Sequence, residues 1–171
     1  KTDGQQVFWE QAGRVIVSKI ENEKVCSLIP NEIDANYISW SESGSQHSQV
    51  FVLKVNQDGN ADVNWDENGL LINRNSSEDS FLKKIAYNGA ILACIYENSQ
   101  NQNYMQLISN NGVYLNQNGL SISNSMAFYP FSMLFHDNKL IVVYTGNNNQ
   151  VWVQSVSLDD YTTLSEPIGL F

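Results

Sequence analysis

The stretch "VNQDGNADVNWDENGLLI", Val55 to Ile72, decides how the chain is read. Its Asp58, Asn60 and Asp62 stand at alternate positions, the spacing of the first ligands in a calcium loop. A hairpin turn uses much the same residues, because Asp-Gly supplies the positive φ that a tight turn between strands needs. A full calcium loop also takes Gly at its sixth position and Glu at its twelfth, where this chain has Val63 and Gly69. The turn reading is therefore preferred. Calcium held by Asp58, Asn60 and Asp62 remains the lesser alternative, which a calorimetric titration without heat would remove.

Working outward, the same turn-plus-strand pattern recurs. It reads "TDGQQVFWEQAGRVI" from Thr2, "QDGNADVNWDENGLLI" from Gln57, "NNGVYLNQNGLSI" from Asn110 and "LDDYTTLSEPIGLF" from Leu158. The closing glycines Gly13, Gly69, Gly119 and Gly169 mark intervals of about 50 residues, a period typical of repeat architectures. Between these anchors "DANYISWSE" matches "GAILACIYE" and "NKLIVVYTG", while "QVFVLKV" matches "NYMQLIS" and "QVWVQSV". Within the second unit the alternation of apolar and polar residues predicts strands at Phe81 to Tyr87, Ala90 to Glu97, Asn103 to Ser109 and Val113 to Ile122. No segment sustains a helical period. Four short strands per unit, repeated, predict an all-β, propeller-like chain of about three four-stranded antiparallel blades. The chain then divides into a leading strand within 1–24 (Gln5 to Val17) and units at 25–72, 73–122 and 123–171.

Composition narrows the function classes. The 171 residues carry a net charge of -9 with nine Lys and Arg, so a polyanion is repelled and nucleic-acid binding is not expected. No run is apolar and long enough to form a membrane-spanning helix. The opening "KTDGQQVFWE" lacks a signal-peptide pattern, so any export signal is expected to have been removed or never present. Cys26 and Cys94 lie in apolar runs without metal-ligand neighbours and are expected as buried free thiols, with one disulfide as the alternative.

The segment from Asn36 to Ile72 carries a family likeness. "YISWSE", then "QVFVLKV", then "DG", a Trp and "ENG" followed by Leu and Ile resemble the propeller-like repeats of exported, surface-associated proteins of Bacteroidetes-type bacteria. The likeness implies an exported adhesion or scaffold module, extracellular or at the cell surface, and brings no catalytic residue with it. Later copies depart from the pattern: Leu115 stands near the place of Trp65, and Lys54, Leu107 and Ser155 occupy the position after the third strand where a basic residue is usual. Sialidase propellers are similar in general plan, but their Asp-to-Trp spacing is shorter than Asp58 to Trp65, and Arg14 and Arg74 are too few for their arginine cluster.

Three units do not close a ring, since propellers usually have four to eight blades. The chain is expected either to be part of a longer propeller or to meet a second copy in a six-bladed ring, with a compact three-unit monomer as the least favoured option. Loops after the fourth strand and between the second and third should share one face, rich in amides and hydroxyls. From it Asn73, Arg74, Asn75, Glu78, Asp79, Asn124 and Tyr129 are taken as candidate ligand-binding residues, against the alternative that they are ordinary turn residues. Trp40 is expected in the core, aligned with Ile95 and with Tyr144 or Val143, and Trp9 and Trp65 as covers between blades. His47 and His136 have no visible catalytic partner. The expectation is thus a non-catalytic module without a cofactor, binding a protein partner or itself through strand edges or the loop face. The alternative is a carbohydrate-binding lectin or a fragment of a glycoside-acting propeller enzyme.

Overall fold

A computed structural model describes residues 22–30, 35–43, 47–56, 58–74, 77–123, 129–146, 150–162 and 164–170. The expected leading strand at Gln5 to Val17, with Trp9, lies outside these residues, as do Asn75 and Asn124. Among the described residues the chain is all-β. Its strands are β1 (Asn22–Pro30), β2 (Ala35–Ser43), β3 (Ser48–Asn56), β4 (Leu70–Leu71), β5 (Ser80–Tyr87), β6 (Ile91–Asn98), β7 (Asn103–Ser109), β8 (Leu120–Ser123), β9 (Tyr129–His136), β10 (Lys139–Thr145), β11 (Val151–Ser157) and β12 (Ile168–Gly169). They form three antiparallel sheets, each of four strands consecutive in sequence and in space.

The sheets stack face to face, with β5 packed beside both β1 and β9. The middle sheet is covered on both faces, which explains why β6 reads as a near-continuous apolar run. Leu92, Cys94 and Tyr96 point to the first sheet; Ile91, Ala93 and Ile95 point to the third. All six are under 9% exposed. In β10 the burial alternates instead: Leu140, Val142 and Tyr144 are buried against the middle sheet, whereas Ile141 and Val143 are half-buried. Cys94 is a buried free thiol whose pKa burial pushes up. The side chain of Cys26 lies outside the described atoms.

Three isolated bridges, Val55 to Ala61, Ile108 to Tyr114 and Val156 to Leu164, fix which residues correspond between sheets. On that register Phe51, Tyr104 and Trp152 are equivalent, and their cross-strand partners are Trp40, Tyr96 and Tyr144. Trp40 thus corresponds to Tyr144, as one expected alignment has it, and to Tyr96 and not Ile95: matching the apolar runs puts the second unit one residue out of register. The pairs Trp40–Phe51 and Tyr96–Tyr104 stack with centroids 5.6 and 5.5 Å apart. Each lies against a closing glycine, Gly69 or Gly119, both at positive φ, where an added Cβ would meet Trp40 Cη2 at 2.4 Å or Tyr96 Oη at 2.7 Å. Gly169 is not their counterpart: Ile168 sits opposite Val153 as Leu70 sits opposite Val52, so Pro167 occupies the glycine place in the third unit.

The opening stretch forms the turn expected of it. Asn56 Oδ1 accepts the N–H groups of Asp58 and Asn60 at 3.0 and 2.9 Å, and Gly59 takes φ +76°. Asn98 builds the same turn, accepting from the N–H groups of Gln100 and Gln102 while Asn101 takes the positive φ. Here a side-chain amide satisfies the backbone donors that a bulged hairpin leaves open. The last strand of the second unit starts at Leu120, not Val113. Asn116 causes the delay: its side chain bonds Leu107 N at 2.7 Å and Met105 O at 2.8 Å, ladder groups that a neighbouring strand would otherwise pair.

Candidate functional site

Asp62, the third residue of the calcium alternative, is held within the hairpin. Its Oδ2 lies 2.9 Å from Lys54 Nζ, with side-chain exposures of 19% and 9%, and its Oδ1 accepts from Asn64 N at 3.0 Å. Burial raises its pKa, but the Asn64 hydrogen bond and the Lys54 charge outweigh that and hold it below the usual carboxylate value. Asp58 and Asn60 are exposed at the turn. The position of Lys54 and Asp62 is taken in the second unit by Leu107 and Leu115: Asp62 N donates to Lys54 O as Leu115 N donates to Leu107 O. Ser155 and Ser165 stand there in the third unit, joined by Ser155 N donating to Ser165 Oγ at 2.9 Å. Ion pair, apolar pair and hydroxyl bond are thus three ways of closing one hairpin.

The candidate loop face does converge. The connection from β4 to β5 and the hairpin between β6 and β7 meet around a cleft of about 430 Å³. Asn73, Arg74 and Glu78 enter it from the connection, and Asn98 and Gln102 from the hairpin. Asn98 Nδ2 donates to Glu78 Oε2 at 2.8 Å and to Gln102 Oε1 at 3.2 Å; the same Oε1 accepts from Tyr104 Oη at 2.9 Å. One wall is therefore a carboxylate and two amides held in fixed orientation, and beside it stands the stacked Tyr96–Tyr104 pair. Burial raises the Tyr96 phenol, helped by Tyr104, so it stays protonated. Arg74 crosses from the other side, donating to Gln117 O at 3.2 Å with its guanidinium carbon 4.8 Å from the Tyr114 ring centre.

Of the expected residues, the structure brings Asn73, Arg74 and Glu78 together in the cleft. Asp79 is not among the lining residues: its Oδ1 accepts Ser48 N at 2.5 Å, tying the start of β5 to the start of β3. Tyr129 belongs to β9, and its side chain lies outside the described atoms. Sequence reasoning did not name Tyr96, Asn98, Gln102, Tyr104 and Asn118 as candidates. Gln102 and Tyr104 immediately follow the expected loop, at alternate positions, so the turn at Asn98 was the available signal. Trp65 is a cover as expected, 5% exposed, with its indole donating to Asn110 O of the second unit at 3.0 Å. His136 faces the Asp137 carboxylate at 3.5 Å, but both are solvent-exposed and neither lines the cleft. Among the described residues no group of three or more His, Cys, Asp or Glu side chains is placed to hold a metal.

Comparison with known protein families, with curated proteins and with solved structures finds no match.

Proposed function

We propose that the chain is a propeller-type, non-catalytic module of an exported scaffold, recognising a protein partner through its loop face or strand edges. The observation that carries this reading is the chemistry of the cleft. Its described lining offers amides, one guanidinium, one carboxylate and stacked phenols, which hold a ligand by hydrogen bonds and flat contact. It contains no paired nucleophile and base. The carboxylate of Glu78 is engaged by Asn98, which suits a recognition group better than a proton carrier. A peptide-array screen with the whole chain, repeated with Arg74→Ala, tests the reading: a bound peptide weakened about tenfold by the substitution supports it. Peptides that bind Arg74→Ala as well as wild type would place recognition elsewhere.

A second reading has its own observation. The half-buried Tyr104, stacked on buried Tyr96 and standing beside Gln102, Asn98 and Asn118, matches what sugar hydroxyls and an apolar sugar face require. Glycan-array binding lost in Tyr104→Ala would favour this lectin-like alternative over the protein partner.

A further inference from the structure

The dipeptide Asn-Gly occurs four times, beginning at Asn68, Asn88, Asn111 and Asn118. It is chemically labile, because glycine has no side chain to keep its backbone nitrogen away from the side-chain carbonyl of the asparagine before it. Attack needs that nitrogen free of a hydrogen bond and the asparagine side chain free to turn, so the fold decides which of the four reacts. At Asn68 both are held: Gly69 N donates to Asp66 O at 2.9 Å, and Asn68 Nδ2 donates to Asp66 Oδ1 at 3.3 Å. At Asn111 the nitrogen is held, with Gly112 N donating to Ser109 O at 3.0 Å. At Asn88 the side chain is held, its Oδ1 accepting from Ala90 N at 3.0 Å and Ile91 N at 2.8 Å.

Asn118 escapes both restraints. Leu120 sits opposite Met105 as Leu70 sits opposite Val52, so Asn116 stands where the first unit has Asp66, whose carbonyl holds Gly69 N. In the second unit that carbonyl is taken from the other side: Asn116 O accepts from Gln106 Nε2 at 2.7 Å. Among the described residues neither Gly119 N nor the exposed Asn118 side chain makes a hydrogen bond. The inward turn of Asn116 that delays β8 therefore leaves the next Asn-Gly unheld.

We propose that Asn118 is a site of spontaneous deamidation, which turns one amide of the cleft into a carboxylate. Gly119 N gives up its proton and bonds Asn118 Cγ, the Cγ–Nδ2 bond breaks, and ammonia leaves with that proton. Water then opens the five-membered imide at either carbonyl, leaving aspartate or its isomer. One amide and one water become one carboxylate and one ammonia, with no oxidant or enzyme needed. Asn118 lines the cleft with Arg74 and Glu78, so a group that both donates and accepts becomes a charged acceptor. An anionic ligand then binds less well and a cationic one better.

This inference goes beyond the cleft reading and does not depend on it, since its readout is mass and not binding. The whole folded chain is held at mildly alkaline pH, sampled over time, digested and mapped by tandem mass spectrometry, with the same incubation in urea and with Asn118→Gln as comparisons. Glutamine keeps the amide but closes the corresponding six-membered ring far more slowly. Having to break one restraining hydrogen bond slows attack by about fivefold, so in the folded chain Asn118 should gain its mass unit at least that much sooner than the other three. In urea the four rates should converge, because the restraints are gone. Native charge separation should show one added negative charge in wild type that Asn118→Gln lacks. Asn68, Asn88 or Asn111 reacting first, the same ranking in urea as in the folded chain, or an Asn118 that stays intact while folded would each overturn it.

Discussion

Gly69 and Gly89 separate two costs that are often merged. Both have positive φ, but a Cβ at Gly69 would enter the Trp40 ring, while at Gly89 it would meet nothing within 4 Å. Gly69→Ala is therefore expected to cost about 3 kcal/mol and Gly89→Ala about 1 to 2, read from urea midpoints. Lys54 and Asp62 make a second residue-scale case. Removing either partner leaves a mostly buried charge, so Lys54→Leu and Asp62→Leu should each cost about 2 kcal/mol, and the double variant less than either, because it copies the Leu107–Leu115 pair. The pH sign follows from the lowered carboxyl. The Asp62 contribution is complete above its unfolded pKa of about 3.9 and is lost as pH falls through the lower folded value. The stability gap between wild type and Asp62→Asn should therefore close below about pH 4.

At the scale of strands, the second and third strands of each unit were legible because their apolar runs are long and their turns carry Asn and Gly at the required places. The fourth strands were not. β4 and β12 have two residues each, and in the second unit a loop ordered by Asn116 occupies most of the expected strand. Such a loop alternates in polarity much as a strand does, and only the hydrogen-bond partner of a side-chain amide tells them apart. The candidate site was legible to the extent that a turn end can be read: Asn73, Arg74 and Glu78 were found, but Tyr96 looked like core because its strand is core. Burial also grades the strands. Ile95→Ala in β6, closed on both faces, should cost about 4 kcal/mol, whereas Ile141→Ala on the open face of β10 should cost about 1, by the same denaturation measurement.

The molecule as a whole is a stack in which each sheet contacts only its neighbours, and only the middle sheet has two within the described residues. Stability in such an array is a sum of nearest-neighbour terms and need not be uniform. Amide exchange should record this as a gradient, with β6 and β7 protected up to global unfolding and β9 to β12 opening sooner. The half-buried valines and isoleucines of β10 and β11 then mark the part of the stack that loosens first. A sheet that loosens without dissolving its neighbours works as a latch: partnered, it stiffens with the rest; unpartnered, it is the first part of the chain that a protease or a quality-control chaperone would meet.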